Sequence, residues 1–235
     1  MKNKKIQILI IILISNLICF KSFGFDQFNF DVTEIEIKNN GNLIKGLKRG
    51  VITSNDGLKI EADQFEYEKS ANILNASGNV KVVDQIKDYE IYSEKITYLK
   101  NLEKIISSKN SKAIYEKNKI IEADQFEYEK SANILNASGN VKVVDQIKDY
   151  EIYSEKITYF KNPEKIITDG VTEILLGNKY KIKSKNINFF MDEQLINSKH
   201  STQIKDKNSN IYNLENFNYE IDKKILKGND IVIIT

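Results

Sequence analysis

Few side chains in this 235-residue sequence have the types and spacing that chemistry requires. His200 is the only histidine, and its polar surroundings, Ser-Lys-His-Ser-Thr, are typical of a solvated loop rather than of a catalytic triad. Glu61 with Asp63, and Glu122 with Asp124, have the paired carboxylates that glycoside cleavage uses. Because both pairs recur with an internal repeat, we expect them to have a structural role at a turn or a strand edge.

Metal and cofactor motifs are missing from the sequence. It contains no Cys/His cluster, no acid-glycine calcium repeat and no phosphate-binding glycine loop. Cys19 is the single cysteine, so no disulfide framework is expected. The sequence therefore predicts a protein that is not an enzyme and that uses neither a metal nor a cofactor.

A 47-residue stretch occurs twice, almost letter for letter. Residues 60–106 return as residues 121–167, and only two positions differ: Leu99 against Phe160, and Leu102 against Pro163. A closed globular core rarely accepts an inserted copy of part of itself, whereas a repeat stack accepts it because each unit contacts mainly its neighbours. The duplication therefore predicts an elongated, solenoid-like stack.

The stack is predicted to be all-β. Residues 60–67 and 91–98 share a frame of apolar positions, and about six such repeats of roughly 30 residues follow Asp31. Leu74 and Val82 fall on one parity and Lys81 on the other, as in a half-buried strand. The glycine of Asn-Ala-Ser-Gly-Asn, inside this strand pattern, predicts a bulge or a tight bend.

The apolar parity of the two copies is the predicted inner face. Core packing is the expected role of any single member of this set. As a group they are also the candidates for contact with a lipid: Phe65, Tyr67, Leu74, Val80 and Val82, with their copies Phe126, Tyr128, Leu135, Val141 and Val143.

The first 24 residues have the pattern of a secretory signal peptide, with residues 25–235 as one repeat β domain. Lysines precede a short apolar run from Ile6 to Phe20, and Ser22-Phe-Gly24 places small residues at a cleavage site. The run is short for a transmembrane helix, so an uncleaved anchor is the alternative. Cleavage would remove four lysines and no acids from a chain of net charge +2, which leaves no electrostatic footprint for nucleic acid.

The repeated phrase resembles a known family. The pattern "I-x-A-D-x-x-x-Y … L-x-A-S-G-N-V-x-V-x-D", at residues 60–84 and 121–145, is similar to the OstA-like domain of lipopolysaccharide transport. That domain forms the periplasmic bridge protein LptA and the N-terminal periplasmic part of LptD in Gram-negative outer-membrane biogenesis. Residues 46–51 and the segment from Phe217 to Gly228 are similar to the LptD region in particular.

The resemblance implies a twisted β-jelly-roll whose apolar interior shelters the acyl chains of lipid A. It also implies that end strands pair with those of other OstA-like transport proteins, in the periplasm or in association with the outer membrane. LptD continues beyond such a domain, so the chain is expected to be either a free bridge protein or a shortened LptD that lacks its transmembrane part. The alternatives are a structural or adhesive extracellular β-solenoid without lipid binding and a carbohydrate-active β-helix enzyme.

Overall fold

A computed structural model of the chain describes residues 28–235, so the predicted signal peptide and its helix lie outside the described residues. The described part is antiparallel β-structure with two short 3-10 turns, Asn39–Gly41 and Lys100–Leu102, and it contains no α-helix. The predicted all-β fold class is confirmed. Within residues 28–235 no helix has the length and apolar character needed to cross a membrane.

The strands are numbered in chain order. The first twelve are β1 (Phe28–Val32), β2 (Ile35–Lys38), β3 (Leu43–Gly46), β4 (Gly50–Ser54), β5 (Leu58–Ala62), β6 (Gln64–Glu68), β7 (Ile73–Asp84), β8 (Tyr89–Leu99), β9 (Lys104–Ser108), β10 (Ser111–Tyr115), β11 (Lys119–Ala123) and β12 (Gln125–Glu129). The others are β13 (Ile134–Asp145), β14 (Tyr150–Phe160), β15 (Lys165–Leu176), β16 (Tyr180–Lys185), β17 (Asn188–Phe190), β18 (Leu195–Ser198), β19 (Thr202–Asp206), β20 (Ile211–Leu214), β21 (Asn216–Glu220), β22 (Ile225–Asn229) and β23 (Val232–Ile234).

The chain zigzags through one continuous sheet that is folded into two facing layers. The long strands β7, β8, β13, β14 and β15 pass through both layers, and elsewhere two consecutive short strands divide the same path. Layer A has the order β2-β3-β6-β7-β8-β9-β12-β13-β14-β15-β17-β18-β21-β22. Layer B has the order β1-β4-β5-β7-β8-β10-β11-β13-β14-β15-β16-β19-β20-β23.

Each long strand bends from one layer into the other at a β-bulge. In β7 the pairing with β8 shifts between Ser77 and Val80, and Gly78 has a φ of +78° that L side chains rarely adopt. A Cβ on Gly78 would stand 2.6 Å from Asp63 Oδ2, so glycine is required there for space as well. The predicted bend at this glycine is confirmed, and Gly139 repeats it in the second copy.

The core lies between the two layers. Leu74, Ala76, Val80 and Val82 of β7 are at most 2% exposed, while Lys81 points outward into partial exposure. Each copy supplies strands for four levels of the stack. At a strand spacing of about 4.8 Å, the second copy lengthens the stack by roughly 19 Å.

Candidate functional site

The ten predicted inner-face residues all lie in the space between the layers. Their exposed fractions run from 0 to 4%, so each of them packs in the core. Val82 lies opposite both Ile60 and Ile91, and Val143 lies opposite Ile121 and Ile152 in the same register. The apolar interior thus runs without a break through both copies and continues to Phe217 near the end of the described chain.

Aromatic rings line this interior in edge-to-face contacts. Tyr89 and Tyr128 lie 4.3 Å apart between ring centroids, and Tyr115 and Tyr159 lie 5.0 Å apart. The hydroxyl groups of Tyr89 and Tyr115 are buried and have no hydrogen-bond partner among the described residues. Burial raises the pKa of both tyrosines, so they remain neutral. The interior is therefore apolar with a line of tyrosine hydroxyls.

The two layers meet again on the side opposite the bends, and we call this side the seam. All the hairpin turns lie along it, because each path through the two layers begins and ends there. Lys130, in a layer A turn, donates to the backbone carbonyl of Asp56 in a layer B turn at 2.7 Å. Lys161 donates in the same way to the carbonyl of Lys87 at 2.7 Å. Both pairs are 74 residues apart, so the layers are offset by a constant shift.

A cluster of charges closes the seam beside the first copy. We call Asp56, Asp84, Lys100 and Lys130 the first clasp. The ammonium group of Lys130 lies 2.8 Å from Asp56 Oδ2 and 3.5 Å from Asp84 Oδ2. Lys100 contacts the other oxygen of Asp56 at 2.9 Å, and the Tyr98 hydroxyl donates to Asp56 at 2.9 Å. Asp84 is fully buried and Lys130 is 5% exposed.

The charge state of Asp56 follows from these donors. Burial by itself raises the pKa of this carboxyl, but hydrogen bonds from Lys130, Ser54, Lys100 and Tyr98 outweigh burial and hold the pKa well below its usual range. The carboxylate is therefore ionised at neutral pH.

A second clasp closes the seam beside the second copy, and it consists of Lys119, Asp145, Lys148 and Glu164. Lys119 is 1% exposed, pairs with the Glu164 carboxylate and lies opposite Asp145 in the ladder between β11 and β13. Lys148 reaches the other oxygen of Glu164 at 3.5 Å, and the Tyr159 hydroxyl donates to Glu164 at 3.1 Å. Burial lowers the pKa of Lys119, and the charge of Asp145 opposes that shift.

The residues with the potential for acid–base chemistry lie elsewhere and make structural contacts. Asp63 accepts hydrogen bonds from Arg49 and Asn79, both at 2.8 Å, and Glu61 accepts one from Arg49 at 3.1 Å. Asn140 binds Asp124 at 2.9 Å at the corresponding bend.

His200 is exposed in the loop before β19 and contacts the Asn186 amide at 3.2 Å. No group of three or more possible metal ligands occurs among residues 28–235.

The ends of both layers are unpaired edges that expose apolar side chains. Among the described strands, β2 pairs only with β3, and β23 pairs only with β20. Ile37 on β2 is 64% exposed, and Ile233 on β23 is 56% exposed. Exposed apolar edges are available for pairing with another strand.

The sequence predicted the inner face but missed the clasps. One signal was available: Lys119 stands at the repeat position of Leu58, and Met191 stands at the repeat position of Lys130. An apolar residue and a lysine thus exchange places between the repeats, and Leu58 and Lys119 lie opposite the equivalent aspartates Asp84 and Asp145.

Comparison with known proteins gives one kind of match. No family model matches the chain, and no curated protein matches it. Among solved structures the chain is similar to LptH from Pseudomonas aeruginosa, the LptA homologous periplasmic component of the conserved lipopolysaccharide transport device. The two chains are 15% identical, the match covers 51% of this chain and 94% of that chain, and the TM-score is 0.47.

Proposed function

We propose that this protein is a lipopolysaccharide transport module that holds the acyl chains of its cargo between its two layers. The observation that carries the proposal is the apolar interior, which extends through every level of the stack from Phe28 to Tyr219. Removing acyl chains from water stabilises such a complex by about 0.8 kcal/mol per methylene. The resemblance of the repeated phrase to the OstA-like domain supports lipopolysaccharide as the cargo.

The cargo would contact the ten inner-face residues named from the sequence. Their side chains are packed against one another, so acyl chains would have to replace contacts between the layers. Such a replacement exchanges contacts between apolar side chains for contacts with acyl chains. It leaves the hydrogen bonds between neighbouring strands of each layer in place. The role is binding and guidance, with no reaction.

Partner proteins would add strands at the two ends of the stack. The exposed isoleucines of β2 and β23 lie on edges whose outer backbone groups are free of a strand partner among the described residues. Strand addition by another OstA-like jelly-roll would continue both layers and the interior between them. This arrangement supports either a free bridge protein or the periplasmic part of an LptD.

In this proposal the mature chain lies in the periplasm, where it associates with the outer membrane. Export would depend on the signal peptide predicted for residues 1–24. N-terminal sequencing of protein recovered from the periplasm should begin at Phe25, and an intact Met1 in the membrane fraction would favour the anchor instead.

The experiment is lipid analysis of the chain purified from the periplasm without detergent. Mass spectrometry of the extract should find lipopolysaccharide. The inward variant Val82→Asn should lose most of it, whereas the adjacent outward variant Lys81→Asn should retain it, with circular dichroism showing that both variants fold. A lipid-free protein displayed on the cell surface would contradict the proposal and support the adhesive solenoid.

A further inference from the structure

A cleft of about 460 Å³ lies near the C-terminal end of the seam and reaches buried rings of the interior. Four aromatic rings form its floor: Tyr150 and Phe189 are in edge-to-face contact at 5.0 Å, and Tyr180 and Tyr219 are in the same contact at 5.6 Å. Burial raises the pKa of Tyr219 to about 12, so its hydroxyl is neutral. An apolar chain entering here would contact these rings, while the charged side chains of the lining stand around them.

The cleft exists because the layers are offset. The last layer A turn, residues 221–224, lies opposite Lys148 and Asp149 of layer B. Layer B continues past this point with the turns around Lys179 and Lys207, and no described layer A turn faces them. The clasps therefore stop at Lys148, and the seam beyond it has no cover among residues 28–235.

The lining of the cleft has a net positive charge, with four lysines against Asp149 and Asp206. Lys179, Lys207 and Lys224 are exposed at its mouth, and none of them forms an ion pair with a described residue. The nearby Asp206 carboxylate is already occupied, since it accepts hydrogen bonds from the backbone of Asn208 and Asn210 at 2.8 and 2.9 Å and from the Tyr212 hydroxyl. Three unpaired ammonium groups over an aromatic floor are complementary to an anionic head group with an acyl chain.

We infer that this cleft is the entry site for an anionic amphiphile, which enters along the stack and not sideways through the clasped seam. The inference rests on the proposed function, because it names where that cargo enters. Sideways entry would require separating buried Lys130 from the half-buried Asp56 at 2.8 Å and from the buried Asp84 at 3.5 Å. Entry at the cleft separates no ion pair.

The test is a binding titration of a dansyl-labelled fatty acid on protein recovered from the periplasm, with the matching dansyl-labelled fatty alcohol as an uncharged probe. The triple variant Lys179→Gln, Lys207→Gln, Lys224→Gln should weaken binding of the acid about tenfold and leave the alcohol within twofold. A control triple, Lys59→Gln, Lys185→Gln, Lys199→Gln, removes the same charge from exposed lysines elsewhere and should leave both probes unchanged. Purified lipopolysaccharide should displace the acid.

The route of ligand entry is tested with the double variant Lys87→Cys, Lys161→Cys, because the turns of these two residues meet across the seam. Bridging them with a short thiol crosslinker in a Cys19→Ser background should leave probe uptake unchanged. Loss of uptake in the bridged protein would show sideways entry and overturn the inference.

The remaining outcomes separate this inference from the proposed function. Equal binding of acid and alcohol to the parent and the cleft variant, with lipopolysaccharide still displacing them, would place the ligand elsewhere and overturn the cleft alone. Loss of probe binding as the protein self-associates would show a second copy in the cleft and overturn it as well. No binding of either probe or of lipopolysaccharide would overturn both proposals.

Discussion

The two copies have the same strands and different neighbours. β7 and β13 have identical sequences, the same bulge and the same register with the following strand. Each ends in a buried aspartate, Asp84 or Asp145, whose Oδ2 has no hydrogen-bond partner among the described residues. Asp84 lies beside Lys130, which belongs to a layer A turn on the other side of the seam. Asp145 lies beside Lys119, which belongs to the neighbouring strand of layer B.

This difference shows what duplication preserves and what it changes. Local sequence decides the strands, because alternation and the glycine bulge act within each copy. The level in the stack decides the seam contacts, because the offset of the layers pairs residues 74 positions apart. Lys69 and Lys130 illustrate this well, since they are the same residue of the two copies and yet Lys69 is exposed and Lys130 is buried.

The largest expected effect comes from removing the buried member of that pair. Lys130→Met leaves Asp56 and Asp84 without their shared cation, and breaking a buried ion pair costs about 3–5 kcal/mol. Lys69→Met makes the same change at an exposed position and should cost less than about 1 kcal/mol. Urea unfolding of both variants measures the two free energies. Equal losses of unfolding free energy in the two variants would show that the position of Lys130 at the seam does not determine the cost.

An exchange of residues between the two arrangements should show strong coupling. Lys119→Leu places before the second copy the residue that stands before the first, Leu58. It leaves Asp145 and Glu164 without Lys119, at a cost of about 3 kcal/mol. Adding Met191→Lys supplies the lysine from layer A, as Lys130 does in the first copy. The double variant should regain more than about 1 kcal/mol relative to the sum of the single variants in a double-mutant cycle. If the free-energy losses of the two single variants simply add in the double variant, Met191→Lys does not replace Lys119.

Acid should loosen the first clasp in a predictable direction. The pKa of Asp56 is lower in the folded protein than its value of about 3.9 in an unfolded chain. Its contribution to stability is therefore complete above pH 4 or so and is lost as pH falls through the lowered folded pKa. The parent should lose more stability than Asp56→Asn between pH 5 and pH 3 in urea unfolding. Parallel pH profiles would exclude Asp56 as a source of this dependence.

The smallest effect is expected at Phe160, one of the two positions that differ between residues 60–106 and 121–167. Phe160→Leu restores the residue of the first copy and removes the contact of the Lys165 ammonium with the Phe160 ring, 4.4 Å from its centroid. An exposed cation–π contact contributes about 0.5–1 kcal/mol. Thermal unfolding should show a loss in that range, with Leu99→Phe in the first copy as the reciprocal control. A larger loss would assign Phe160 a core role.

Much of the fold was predictable because its determinants are local. The parity of Leu74 and Val82, the bulge at Gly78 and the turn at residues 100–104 all follow from short stretches of sequence. The clasps were not predictable in the same way, because Asp56 and Lys130 meet only through the offset between the layers. The cleft depends on where layer A ends before layer B, which no single repeat encodes.

Photo-crosslinking in living cells can show whether the interior holds the lipopolysaccharide during transport. A photoreactive residue replaces Val82 or Val143, which face the interior in the two copies, or their outward neighbours Lys81 and Lys142. We expect lipopolysaccharide adducts at both inward positions and none at either outward position. Equal adducts on the two faces, or none at the inward positions, would contradict this expectation.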